Sequence, residues 1–123
     1  MYHILVCDDE KDIVSALKIY LMADGYQVFE AYNGREALEI LKNEDIHLVL
    51  MDIMMPEMDG VETTKRIRKL PGGDGKNVRI IALTANAIQG VENEYIAAGM
   101  DDWIFKPVRQ EQLKKMILKH LKM

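Results

Sequence analysis

The chain has one cysteine, no excess of positive charge and no long apolar run, and each shortage excludes a class of protein. Cys7 cannot form an internal disulfide and lies in an apolar run, which fits a buried thiol in a reducing cytoplasm. Sixteen basic against twenty acidic residues give a net charge of −4, which does not attract nucleic acid. No run approaches the roughly 20 apolar residues that cross a bilayer, and Met1-Tyr2-His3 does not begin a signal peptide. We expect one cytoplasmic domain over residues 1–123, with no membrane or nucleic-acid partner.

Short apolar runs alternate with segments of helical period, and the alternation repeats five times. The runs are Ile4–Cys7, Gln27–Ala31, Ile46–Met51, Val78–Leu83 and Trp103–Phe105. The third and fourth are apolar almost throughout, as expected for parallel strands that helices cover on both faces. This pattern predicts an α/β fold, a flavodoxin-like (βα)5 three-layer sandwich. The common order for a parallel five-stranded sheet of this kind is 2-1-3-4-5.

Capping residues and glycines mark the predicted helices. Two capping pairs predict the starts of the second and third helices, and two glycines predict the ends of the first and fourth. The pairs are Asn33 with Glu36 and Asp59 with Glu62, and the glycines are Gly25 and Gly99. Apolar residues at helical spacing predict the inner faces of the first, fourth and fifth helices. These faces are Ile13, Leu17, Tyr20 and Leu21; Ile88, Val91, Tyr95 and Ile96; and Leu113, Met116, Ile117 and Leu121.

Acids, a hydroxyl and an amine stand where the predicted strands stop. Asp8 and Asp9 follow the first strand, Asp52 ends the third, Thr84 ends the fourth, and Lys106 closes the fifth. Ligands of open α/β sheets bind beyond the carboxyl ends of the strands, where the strand order reverses. In the predicted order this point lies between strands one and three, so the three acids should meet there. Packed carboxylates repel one another unless a hard cation binds them, which predicts Mg²⁺, with Mn²⁺ as an alternative.

The same residues suit phosphoryl transfer. A carboxylate can act as a nucleophile and form an aspartyl phosphate, and Asp52 is the candidate. Phosphoryl transfer otherwise needs a metal ion, a cation and hydrogen-bond donors around the phosphoryl oxygens. Thr84 can supply a hydroxyl and Lys106 an ammonium group from the same edge of the sheet. We therefore expect a site that handles a phosphoryl group.

Four segments carry these residues in order along the chain. They are Cys7-Asp8-Asp9-Glu10, then Leu50 to Gly60, then Ala82-Leu83-Thr84-Ala85, then Gly99 to Pro107. Together they resemble the receiver domain of two-component response regulators, over essentially the whole chain. The resemblance implies that Asp52 takes a phosphoryl group from a phosphohistidine on a histidine kinase or a histidine phosphotransfer protein. The domain would catalyse its own phosphorylation and dephosphorylation and would not be an enzyme with a separate substrate.

The resemblance also implies a role for each residue of the site. The magnesium ligands would be Asp9, Asp52 and the backbone carbonyl of Met54, with Asp8 holding a metal-bound water. Thr84 and Lys106 would contact the phosphoryl oxygens, and the Lys106-Pro107 peptide would be cis.

A further implication of the resemblance concerns signalling. Thr84 and Trp103 would form the switch, although tryptophan is bulkier than the Tyr, Phe or His usual at the second position. The output surface, where a downstream effector binds, would combine the fourth helix, the fifth strand and the fifth helix.

Three other functions use similar pieces. The stretch Gly72–Asn77 mimics a Walker loop, but it lacks the first glycine and the Ser or Thr and precedes a strand, so we reject it. In an FMN carrier, Asp8-Asp9-Glu10 would repel the phosphate. A haloacid-dehalogenase-like phosphatase would need a second acid two residues after Asp52, where the chain has Met54, and is therefore disfavoured. The cognate kinase, the output and the extent of the parent protein stay open.

Overall fold

The computed structural model describes residues 1–71, 77–85 and 90–121, in which five strands and five helices alternate. The strands are β1 His3–Cys7, β2 Gln27–Ala31, β3 Leu48–Asp52, β4 Arg79–Thr84 and β5 Asp102–Phe105. The helices are α1 Lys11–Ala23, α2 Gly34–Asn43, α3 Gly60–Arg68, α4 Val91–Ala98 and α5 Gln110–His120. All neighbouring strands are parallel, and the sheet order is β2-β1-β3-β4-β5. The predicted fold class and strand order are confirmed.

Each face of the sheet is covered by its own helices. On one face an apolar cluster joins Leu5, Val49 and Ile80 to α2, α3 and α4. On the other face a second cluster joins Ile4 and Leu48 to α1 and α5. Because side chains alternate along a strand, the apolar central strands supply both clusters. None of the helices in the described residues is long and apolar enough to cross a membrane.

The two predicted N-caps are confirmed, but their reciprocal capping-box bonds are not. Asn33 Oδ1 accepts the Glu36 backbone N–H at 2.8 Å, and Asp59 Oδ1 accepts that of Glu62 at 2.8 Å. The reciprocal bonds of a capping box do not form: Glu36 instead accepts the Tyr32 N–H, and Glu62 pairs with Arg66. Gly25 and Gly99 have φ of 88° and 108°, the left-handed conformation that ends α1 and α4 as predicted.

Strand boundaries differ from the prediction by one or two residues. Ile46 and Val78 are buried, which is why they read as strand, but the β3 ladder begins at Leu48 opposite Ile4. The predicted helical residue Ile88 and residues 72–76 of the rejected Walker-like stretch Gly72–Asn77 lie outside the described residues. The prediction that Ile96 lies on the inner face of the fourth helix is wrong, because Ile96 is 55% exposed. Because β3 begins and ends later than predicted, Asp52 is its last residue.

Candidate functional site

The alternation of side chains divides the predicted site residues between the two faces of the sheet. Asp8, Asp52 and Lys106 continue the strand positions that face α1 and α5. These positions are Ile4 and Val6 in β1, Leu48 and Leu50 in β3, and Ile104 in β5. Thr84 follows Ile80 and Ala82, which face α3 and α4. The charged groups and the hydroxyl therefore leave the sheet on opposite sides and meet only at its carboxyl edge.

A buried ion cluster joins the three charged residues. Lys106 Nζ donates to Asp52 Oδ1 at 3.0 Å and lies 2.9 Å from Asp8 Oδ2. Asp8 is fully buried and Asp52 is 3% exposed. The Lys106 N–H donates to the Thr84 carbonyl at 2.8 Å, and the Lys106-Pro107 peptide is cis, as the sequence resemblance implied. The structure thus brings together the predicted nucleophile, one predicted metal acid and the predicted cation.

Turns at the ends of the strands hold the two acids in place. Asp8 Oδ1 accepts the Glu10 N–H at 2.9 Å, which folds the chain sharply after β1. The loop after β3 returns so closely that the Gly60 N–H donates to the Ile53 carbonyl at 2.9 Å. A Cβ at Gly60 would collide with the carbonyl oxygen of Asp52. Only glycine fits there without displacing the backbone of Asp52, the predicted nucleophile.

The electrostatics of the ion cluster favour a further cation. Burial raises the pKa of Asp52 to about 7, against the hydrogen bond from Lys106, and the negative charge of Asp8 raises it further. Burial alone would lower the pKa of Lys106, but its hydrogen bonds to Asp8 and Asp52 outweigh this and raise it. Two buried carboxylates share one ammonium group, so the cluster has an unbalanced negative charge when both acids are ionised.

The residues fit a hard divalent ion. Carboxylate oxygens of Asp8, Asp9 and Glu10 lie within 4.8 Å of one another. Asp52 Oδ2 is buried and accepts no hydrogen bond from the described part of the chain. An oxygen-only donor set with an unpartnered carboxylate oxygen suits Mg²⁺. Glu10 was not among the predicted ligands, although its place directly after Asp9 was visible in the sequence; the Met54 carbonyl stays a predicted ligand.

Thr84 has a partner that the sequence interpretation missed. Its Oγ1 lies 2.9 Å from the hydroxyl oxygen of Tyr95, and either group can donate. Thr84 is 2% exposed and Tyr95, from the second turn of α4, is 3% exposed. The sequence interpretation placed Tyr95 on the apolar face of the fourth helix, and the only signal of a polar role was the phenol itself. Buried tyrosine hydroxyls usually find a partner.

Trp103 lies on the same side of the sheet as Thr84. It is half-buried against the cluster that contains Tyr95 and Met100, and its backbone pairs with Ala82 of β4. The backbone N–H of Trp103 donates to Asp102 Oδ1 at 2.9 Å. These contacts place Trp103 on β5 beside β4, and its predicted switch role stays a prediction.

Comparison with known proteins agrees with this geometry. A family model described as the response regulator receiver domain matches residues 4–118. An uncharacterized transcriptional regulatory protein of Bacillus subtilis, YrkP, is 38% identical over 121 residues, which are 98% of this chain and 50% of YrkP. The chain thus spans about half the length of this curated relative.

Solved structures show the same fold. Chemotaxis protein CheY4 of Vibrio cholerae superposes with a TM-score of 0.92 at 30% identity and 98% coverage of both chains. The receiver domain of the Pseudomonas aeruginosa sensor histidine kinase PA1611, solved with magnesium coordinated in its active-site cleft, gives 0.89 at 30% identity, covering 99% of this chain and 98% of that one. The receiver domain of Saccharomyces cerevisiae Ssk1, solved with the histidine phosphotransfer protein Ypd1, superposes with a TM-score of 0.88 at 28% identity. The match covers 97% of this chain and 88% of that one. The chain belongs to the family of response regulator receiver domains of two-component systems.

Proposed function

We propose that Asp52 is the phosphoacceptor of this receiver domain and that the phosphoryl group comes from a phosphohistidine on a histidine kinase or phosphotransfer protein in the cytoplasm. The supporting observation is the state of the Asp52 carboxylate. One oxygen receives the Lys106 ammonium, and the other is buried with no hydrogen bond from the described residues. A carboxylate at the carboxyl edge of the sheet, beside a fixed cation, has the surroundings that nucleophilic attack on a phosphorus atom needs.

The transfer is a single displacement at phosphorus. An ionised Asp52 oxygen forms the new O–P bond while the P–N bond to the donor imidazole breaks, and the imidazole nitrogen keeps the electron pair. Lys106 already lies within hydrogen-bond distance of Asp52 and Asp8. Its ammonium group would neutralise charge on the phosphoryl oxygens, as electrostatic catalysis of this reaction requires. The domain would in this way catalyse its own phosphorylation, and by attack of water its dephosphorylation.

Asp8, Asp9, Asp52 and the Met54 carbonyl would hold Mg²⁺ in this proposal. When bound, the ion supplies the positive charge that balances the carboxylates and the incoming phosphoryl oxygens. The buried carboxylates that share one lysine support this assignment.

Phosphorylation would act as a switch through Thr84 and Trp103. New contacts to the phosphoryl group would shift the population between two states of the face formed by α4, β5 and α5. That face has exposed apolar side chains from each element, Ile96, Phe105 and Leu118, which a downstream effector could cover.

Intact mass after incubation with Mg²⁺ and acetyl phosphate tests the proposal. The wild-type chain should gain the mass of one phosphoryl group, and Asp52→Asn should not. Asp24→Asn, which removes an exposed carboxylate after α1, is the matched control and should react as the wild type does. Equal adducts on wild type and Asp52→Asn would refute the assignment.

A further inference from the structure

The hydroxyl pair at the edge of β4 links the predicted switch to a helix. Thr84 Oγ1 and Tyr95 Oη are 2.9 Å apart, and both residues are almost fully buried. Thr84 starts on the α4 side of the sheet, whereas Asp52 and Lys106 start on the α1 side. To reach a phosphoryl group on Asp52, the Thr84 hydroxyl must turn away from Tyr95 and over the edge of the sheet.

Tyr95 itself has little freedom to follow. Its ring packs in the cluster with Ala82, Ala98 and Met100. Its carbonyl accepts the Met100 N–H at 3.0 Å, in the turn that Gly99 makes with φ of 108° at the end of α4. A phenol held in this way is left without the Thr84 hydroxyl when that hydroxyl leaves, and burial of an unpaired hydroxyl is unfavourable.

We propose that Tyr95 is a positioning residue that stabilises the unphosphorylated state by holding the Thr84 hydroxyl on the α4 side. The inference rests on the proposed function, because it concerns the state in which Thr84 contacts the phosphoryl group. It follows that two hydrogen bonds, one to Tyr95 and one to the phosphoryl group, compete for the single hydroxyl of Thr84. Tyr95 belongs to α4, the helix that also carries the exposed Ile96 of the proposed output surface.

Titration with beryllofluoride in the presence of Mg²⁺ tests this competition. Tyr95→Phe keeps the ring and removes only the hydroxyl, so its affinity for the phosphoryl mimic should rise by about tenfold, the equivalent of one buried hydrogen bond. In a Thr84→Ala background the same change should have no effect on affinity, because the competing hydroxyl is gone. The matched control is Tyr26→Phe, which removes a phenol oxygen at the opposite edge of the sheet, before β2, and should leave the affinity unchanged.

A structural role and a positioning role give different results. If Tyr95 only supports the core, Tyr95→Phe changes the urea unfolding midpoint but not the affinity, and the inference is overturned. A weaker affinity in Tyr95→Phe overturns it as well, because Tyr95 would then favour the active state. If the wild type itself does not bind beryllofluoride, the proposed function fails and this inference fails with it; wild-type binding with an unchanged variant refutes this inference alone.

A second measurement needs no substitution. With tyrosine labelled at the ζ carbon, the Tyr95 resonance should shift when beryllofluoride binds to the wild-type protein, since its hydrogen bond is lost. The Tyr26 resonance is the internal reference and should stay in place. A Tyr95 resonance that does not move on saturation contradicts the inference.

Discussion

The two sides of the carboxyl edge of the sheet carry different kinds of polar group. On the α1 side, Asp8, Asp52 and Lys106 form a buried cluster in which two carboxylates share one ammonium group. On the α4 side, Thr84 and Tyr95 form an uncharged pair joined at 2.9 Å. Buried charges are costly to leave unbalanced, whereas a hydrogen bond between two neutral hydroxyls contributes only about 1 kcal/mol. In the proposed function the charged cluster carries out the phosphoryl transfer, and in the further inference the hydroxyl pair responds to it.

The largest expected effect comes from removing the only cation in the charged cluster. Lys106→Met leaves two buried carboxylates unbalanced and should lower the free energy of unfolding by on the order of 3 kcal/mol without metal at neutral pH. Urea unfolding measures this, and Mg²⁺ should restore part of the loss. Lys115→Met, which removes an exposed lysine of α5, is the control and should change little. Equal stability of the two variants would show that the carboxylates are not forced together.

Neutralising one of the acids should raise the free energy of unfolding rather than lower it. The pKa of Asp52 is raised from 3.8 to about 7, chiefly by burial, so the folded protein binds a proton that the unfolded chain releases. The contribution of the protonated Asp52 carboxyl to stability is present below pH 4 and is lost as the pH rises through 7.

Asp52→Asn should therefore stabilise the metal-free protein by on the order of 2 kcal/mol above pH 7, and the gain should shrink toward pH 4. Urea unfolding as a function of pH checks this, with Asp24→Asn as the control. A gain that is the same at pH 4 and pH 8 would contradict the raised pKa.

The smallest expected effect is on the fluorescence of Trp103, the only tryptophan. Because Trp103 packs against the cluster that contains Tyr95, its emission should change when beryllofluoride binds with Mg²⁺. The change should be absent in Thr84→Ala, which lacks the hydroxyl that would couple the two sides. An identical response in both proteins would separate Trp103 from the hydroxyl pair.

The charged side of the site was predictable from the sequence, and the hydroxyl side only in part. Asp8, Asp52 and Lys106 each end a strand, and parallel strands bring such ends together whatever the details of packing. The partner of Thr84 depends on how α4 packs on the sheet, which apolar periodicity does not specify. Tyr95 therefore appeared as one more residue of an apolar face, and only its 2.9 Å contact gives it a role.

The fold shows the same limit at a smaller scale. The apolar runs located all five strands, but burial of Ile46 and Val78 extended two of them beyond the hydrogen-bonded ladder. Burial and ladder pairing are separate properties, and a run of apolar residues reports only the first. In the same way, Asn33 and Asp59 were identified as caps from their own side-chain chemistry, whereas the partners of Glu36 and Glu62 depended on the surrounding chain.

The central claim is that Asp52, and not a neighbouring acid, carries the phosphoryl group. Borohydride reduces an aspartyl phosphate to homoserine, which marks the modified position permanently. After reaction with acetyl phosphate and Mg²⁺, peptide mapping should find homoserine at position 52 alone. Homoserine at position 8 or 9, or none in a chain that has gained a phosphoryl group, would contradict the account.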